Sequence, residues 1–151
     1  MTLTTGDKVP EFNLPISEEK SISSLDFKGE KLVLYFYPKD NTPGCTNEAK
    51  DFRDNHQKFK DKKVSIIGIS KDSLKTHETF AEKFNINFPL ASDENNEVCE
   101  AFNVWAEKNM FGKSYMGIER STFLINKEGI ITKIWRKVKV SGHVEEVLTY
   151  L

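Results

Sequence analysis

Two short apolar runs separated by a helical stretch constrain this chain most. Lys31-Leu32-Val33-Leu34-Tyr35-Phe36-Tyr37 and Lys63-Val64-Ser65-Ile66-Ile67-Gly68-Ile69-Ser70 are too short for buried helices. Both are rich in β-branched or aromatic residues, so residues 32–37 and 64–69 read as buried strands. Between them Glu48, Ala49, Phe52 and Phe59 recur at helical spacing and predict a helix over about 43–60. Thr42-Pro43 is its start signal, with threonine as N-cap and proline at the first helical position. A strand–helix–strand connection of this kind closes right-handed, which makes the two strands parallel.

The rest of the chain continues the alternation. The first thirty residues are an extended lead-in, with a short strand at Glu11-Phe12-Asn13-Leu14 and a strand end and turn over Ser21–Phe27. Asp72 or Ser73 caps a helix through about Phe84, Phe88-Pro89-Leu90 is extended, and Ser92-Asp93 caps a helix to about Phe102. Residues 106–117, rich in Lys, Gly and Met, read as a loop. Ser121–Ile125 and Ile130–Val138 flank the turn Asn126-Lys127-Glu128-Gly129 as a hairpin. Ser141-Gly142-His143 opens a last helix with Val144, Val147, Leu148 and Leu151. The expected class is α/β, a mixed sheet with helices on both faces. A length of 151 residues fits one domain spanning 1–151.

Cys45 falls in the first turn of the helix, at the carboxyl end of a strand, where open α/β sheets place their sites. Unpaired backbone N–H groups and the positive helix end there favour a thiolate over a thiol. The residue is therefore a candidate nucleophile rather than a packing residue. Composition removes other classes. A formal net charge of −1 gives no reason to expect nucleic acid or a membrane surface as partner. No apolar run reaches membrane-spanning length. Met1-Thr2-Leu3-Thr4-Thr5-Gly6-Asp7 lacks the basic and apolar regions of a signal peptide, so a cytoplasmic, reducing setting is expected. The two cysteines, Cys45 and Cys99, are far apart and form neither a disulfide framework nor a C-x-x-C pair. His56, His77 and His143 show no metal spacing and read as exposed side chains. Lys133, Arg136, Lys137 and Lys139 read as a solvated face, and Trp105, Phe111 and Tyr115 as core or pocket wall.

The segment Pro38-x-x-x-Thr42-x-x-Cys45 is similar to the peroxiredoxin active-site motif. The wider run Tyr35-Phe36-Tyr37-Pro38-Lys39-Asp40-Asn41-Thr42-Pro43-Gly44-Cys45-Thr46 resembles the bacterioferritin comigratory protein (peroxiredoxin Q) branch. So do Gly6–Pro15, at the opening, and Met116-Gly117-Ile118-Glu119-Arg120-Ser121-Thr122-Phe123-Leu124-Ile125. The resemblance spans nearly the whole chain. It implies a thioredoxin-like fold and a thiol peroxidase acting on hydrogen peroxide and organic hydroperoxides, with no metal, haem or flavin cofactor. It also implies thioredoxin or another thiol as reductant, and a monomer or weak dimer. Carried over, Cys45 attacks the peroxide and Arg120 stabilises charge on sulfur and departing oxygen. Thr42 bonds thiolate and peroxide, and Pro38 shields the sulfur. Glu48, one turn after Cys45, is placed to orient Arg120; the alternative is a solvated helix charge.

The sequence departs from the branch at one telling position. Many members carry a second cysteine five residues after the first, and here that residue is Lys50. The expected cycle uses one cysteine and an external thiol. The alternatives are a distant resolving role for Cys99, a mixed disulfide between subunits, or a non-enzymatic thioredoxin-like binding module. Cys99 lies at the margin of an apolar stripe formed by Val98, Ala101, Phe102 and Trp105, and the structural reading is favoured.

Overall fold

A computed structural model describes residues 2–151; Met1, the first residue of the expected lead-in, lies outside them. The lead-in forms a small antiparallel pair, β1 (Asn13–Pro15) and β2 (Ser21–Ser23), followed by one turn of 3-10 helix. The two apolar runs become β3 (Lys31–Phe36) and β4 (Val64–Ser70), paired in parallel. Between them lie α1 (Pro43–Asp54) and α2 (His56–Asp61). The single helix expected over 43–60 is thus interrupted at Asn55, whose backbone leaves helical geometry and whose side-chain amide donates to the Asp51 carbonyl.

Next come α3 (Leu74–Phe84), β5 (Leu90–Ser92) and the five-residue α4 (Glu97–Ala101). The stretch read as a loop is instead a hairpin of β6 (Trp105–Met110) and β7 (Lys113–Ile118). Its turn is Phe111-Gly112, both with positive φ. The chain ends with β8 (Ser121–Ile125), β9 (Ile131–Arg136) and α5 (His143–Thr149). The central five-stranded sheet has the order β5-β4-β3-β8-β9. Strands β3, β4 and β5 are parallel, and β8 and β9 run antiparallel to their neighbours. This is the expected mixed sheet, in the thioredoxin fold.

Alternation along β3 divides the core into two layers. Leu32, Leu34 and Phe36 face one side, with Phe12, Leu14, Val98, Cys99 and Phe102. Val33, Tyr35 and Tyr37 face the other, with Cys45, Phe52, Phe59, Phe80, Val144 and Val147. Helices cover both faces unequally. Residues of α1, α2, α3 and α5 pack on the second face, while α4 shares the first with the β1–β2 pair. Gly68 lets the sheet hold a large ring at its centre. A Cβ there would stand 2.8 Å from the Tyr35 side chain, too close for any real contact.

Candidate active site

The strand–turn–helix junction folds as its sequence requires. Pro43 occupies the first turn, where its missing N–H costs no helical bond. Cys45 follows two residues later, still in the first turn, almost wholly buried at 2 % exposure. Thr42 holds the N-cap position in extended geometry, but its side chain makes no capping bond. Its hydroxyl donates instead to the Lys39 carbonyl at 2.8 Å, turning the Pro38–Thr42 loop back on itself. The expected capping role of that hydroxyl is therefore not filled: the side chain is turned toward Lys39 and its oxygen accepts no helix N–H. Pro38 is half-buried at the start of this loop.

Arg120 reaches Cys45 from the link between β7 and β8, 75 residues away in sequence. Its Nη2 donates to the Cys45 sulfur at 3.3 Å, and its Nη1 donates to Glu48 Oε1 at 2.7 Å. Gly44 leaves room for the approach: a Cβ there would make a tight contact, 3.2 Å from Arg120 Nη2. Burial works against the Arg120 charge, but Glu48 and Cys45 more than offset it and hold its pKa above the ordinary value. Glu48 is fully buried, and burial raises its carboxyl to about 7 against the pull of Arg120. One of its oxygens, Oε2, has no hydrogen-bond partner among the described residues. The clamp thus leaves a cationic, forked donor fixed against a buried sulfur. Such an arrangement stabilises negative charge on sulfur and on an oxygen bonded to it.

Cys99 does not join this group. It is fully buried in the core layer on the opposite face of the sheet from Cys45. Burial and Asp93 push its thiol far above the ordinary range, and its backbone N–H donates to Asp93 Oδ2 at 2.7 Å. Asp93 also accepts from Val98 N–H, so it serves α4 as expected although the helix itself begins only at Glu97. Lys50 extends from α1 toward the Phe84 ring, 5.8 Å away.

Several side chains differ from their sequence reading. His77 and His143 are buried rather than exposed, and His56 is half-buried. His77 sits three residues before Phe80 on the inward face of α3, and His143 starts the apolar stripe of α5. Phe111 is 98 % exposed at the hairpin tip, and Tyr115 is also exposed, so neither is core or pocket wall. Trp105 is half-buried beneath Lys71, which lies 4.3 Å from its ring. Lys137 and Lys139 are exposed, but Arg136 packs on Phe123 and donates to the Asn103 carbonyl. Lys133 lies over the rings of Trp135 and Tyr150. One further cation escaped the sequence reading. Lys108 on β6 is half-buried, which lowers its pKa, and it lies in the fields of Arg120 and Cys45. It was hidden because residues 106–117 carry no apolar period.

A sequence profile of the AhpC/TSA family matches residues 5–134. Peroxiredoxin Bcp of Bacillus subtilis is 52 % identical over 151 residues, covering 100 % of this chain and 96 % of that protein. The chain belongs to the AhpC/TSA family, in its Bcp peroxiredoxin branch. Solved peroxiredoxins agree. A PrxQ serine-for-cysteine mutant of Xylella fastidiosa superposes with a TM-score of 0.93 at 40 % identity, over 99 % of this chain and 96 % of that one. The bacterioferritin comigratory protein of Xanthomonas campestris, studied for alkyl peroxide reduction, gives a TM-score of 0.87 at 45 % identity. That match covers 92 % of this chain and 88 % of the other. Peroxiredoxins are thiol-dependent peroxidases, and this chain is an oxidoreductase of that class. Its substrates are peroxides, and its cycle is completed by a thiol reductant. No helix among the described residues is long and apolar enough to cross a membrane.

Proposed function

We propose that Cys45 is the peroxide-attacking residue of a one-cysteine cycle, acting on hydrogen peroxide and alkyl hydroperoxides. The observation that carries this reading is the Arg120 guanidinium, held by Glu48 with one N–H on the Cys45 sulfur. The thiolate attacks the terminal peroxide oxygen, a sulfur–oxygen bond forms and the oxygen–oxygen bond breaks. With one proton taken up, the products are Cys45 sulfenic acid and water or an alcohol. Arg120 stabilises the charge moving from sulfur to the departing oxygen, Thr42 directs the peroxide and Pro38 keeps water from the sulfur. Two external thiols then reduce the sulfenic acid, releasing water and leaving a disulfide between them.

Lys50 and the placement of Cys99 favour the external route. An intramolecular disulfide needs the two Cα atoms within about 7 Å, whereas Cys45 and Cys99 belong to core layers on opposite faces of the sheet. The reductant is thioredoxin or another thiol, and the enzyme a cytoplasmic monomer or weak dimer built as one domain over 1–151. The test is peroxide consumption with dithiothreitol, comparing wild type with Cys45→Ser. Loss of turnover in the variant is expected; equal rates overturn the proposal.

A further inference from the structure

We infer that Asp40 and His77 form a positioning device for the Pro38–Thr42 loop, through which α3 and β5 set the peroxide-facing side of Cys45. The inference rests on the reading of Cys45 as the attacking thiolate. Asp40 lies midway along that loop, two residues from Pro38 and two from Thr42. It is buried at 3 % exposure, which is costly for a carboxylate unless every lone pair is engaged. Tyr37 Oη donates to its Oδ1 at 2.6 Å, and His77 Nδ1 faces its Oδ2 at 2.6 Å. The Asp40 backbone N–H donates to Asp72 Oδ2 at 2.9 Å, and Ser70 Oγ donates to the same oxygen at 2.7 Å.

The other ring nitrogen of His77 settles where the protons lie. Nε2 faces the Ala91 carbonyl at 3.0 Å. A carbonyl only accepts, so Nε2 carries a proton. One further proton is then held between Nδ1 and Asp40 Oδ2. The buried Asp40 side chain thus ties the loop to the end of β3, to α3 and, through the imidazole, to β5, while its backbone N–H ties it to the β4–α3 link. The loop needs such a tether, because Asn41 beside Asp40 adopts left-handed backbone with φ of 64°. The atoms of Asp40, Asp72 and His77 lie within 4.8 Å of one another, a grouping that also suits a cation. Here both Asp40 oxygens, both His77 nitrogens and Asp72 Oδ2 already have partners, so the cluster reads as a hydrogen-bonded lock.

None of these bonds touches Cys45. Releasing Asp40 shifts Pro38 and Thr42 together, and a misplacement of about 1 Å can cost about 100-fold in rate. It leaves the Arg120–Cys45 contact, which none of these residues makes. Peroxide reactivity then falls while simple thiol reactivity is kept, a split that general loosening of the fold does not produce.

The experiment measures two second-order rate constants for Cys45 at one pH, oxidation by hydrogen peroxide and alkylation by iodoacetamide. It uses wild type, Asp40→Ala, Asp40→Asn and His77→Phe, each checked for folding by circular dichroism. Wild type that is not oxidised at Cys45 overturns the proposed function itself, before any variant is compared. Given an oxidised wild type, the peroxide-to-alkylation ratio should fall about 10- to 100-fold in Asp40→Ala and His77→Phe. Asp40→Asn should restore most of it, since an amide can accept from Tyr37 and donate to a neutral His77. An unchanged ratio in Asp40→Ala and His77→Phe overturns the inference, and so does an Asp40→Asn rate no better than that of Asp40→Ala. Should the larger changes unfold the chain, Tyr37→Phe removes a single hydroxyl, with its contacts to Asp40 Oδ1 and His77 Nδ1; a lowered ratio supports the lock and an unchanged one overturns it.

Discussion

Glu48 and Arg120 illustrate how one buried residue can serve the site at a cost to the fold. The Glu48 carboxyl titrates at about 7 in the folded protein, against 4.5 in an unperturbed chain, because burial outweighs its pairing with Arg120. The folded state therefore keeps a proton that the unfolded chain releases. Stability from this group is complete below about pH 4.5 and is lost as pH rises through about 7. Over that window the slope is at most about 1.4 kcal/mol per pH unit. Glu48→Gln keeps an acceptor for Arg120 and removes the titration. Urea unfolding of the variant at successive pH values should lack this loss. An identical slope in wild type and variant would show that Glu48 does not titrate there. The Cys45 junction was readable because its signals are local: strand end, Thr-Pro and cysteine lie within ten residues. The chemistry of Glu48 was half readable. Its place one turn beyond Cys45 follows from helical period, but its complete burial depends on a partner 72 residues away.

At the scale of elements, the sheet and the helices flanking it were legible in their apolar runs, whereas β6–β7 was not. That hairpin exposes Met110, Phe111, Tyr115 and Met116 and buries little, so it lacks the alternation that identifies a half-buried strand. The buried histidines escaped for another reason. His77 bonds residues 37 and 14 positions away, and His143 bonds Thr122 from 21 positions away. His143 joins α5 to β8, its Nε2 lying 2.8 Å from the Thr122 hydroxyl and its ring edge-on to Trp135. Burial, helped by Arg120, lowers its pKa from 6.5 to about 4, although Glu146 opposes the shift. The neutral imidazole thus supports the fold above about pH 6.5, and that support is lost as pH falls towards about 4. This acts in the opposite sense to Glu48 in the overlapping range, so wild type shows a muted pH response there. His143→Gln, which keeps a partner for Thr122, should therefore be less sensitive to acid than wild type, and Glu48→Gln more sensitive. Melting temperatures at about pH 5 and 7 check this; a variant pair that both move the same way contradicts it.

For the whole molecule, the sheet matters as a partition. Sequence spacing alone left Cys99 open as a distant resolving residue, because it says nothing about which side of a sheet a helix will cover. In the fold, α4 carries Cys99 into the layer with Phe12, Phe36 and Phe102, while Cys45 packs with Tyr35, Ala49 and Phe52. A bond between the two sulfurs would require α1 or α4 to leave its face and expose large aromatic side chains. Each buried ring of that kind stabilises the fold by roughly 1.5–3 kcal/mol, so the movement competes with a substantial share of the 5–15 kcal/mol typical of a domain. The Cys99 thiol is also held protonated by burial and Asp93, and the thiol form is the weaker nucleophile. Cys99→Ala should therefore change neither the rate of Cys45 oxidation nor its product. After one equivalent of peroxide, mass spectrometry should find sulfenic acid, or its adduct with a trapping reagent, at Cys45 in wild type and variant alike. With excess peroxide both should pass to sulfinic acid, because no thiol on the same face intercepts the first product. A Cys45–Cys99 disulfide as the main wild-type product, absent from the variant, would mean that the sheet opens during turnover.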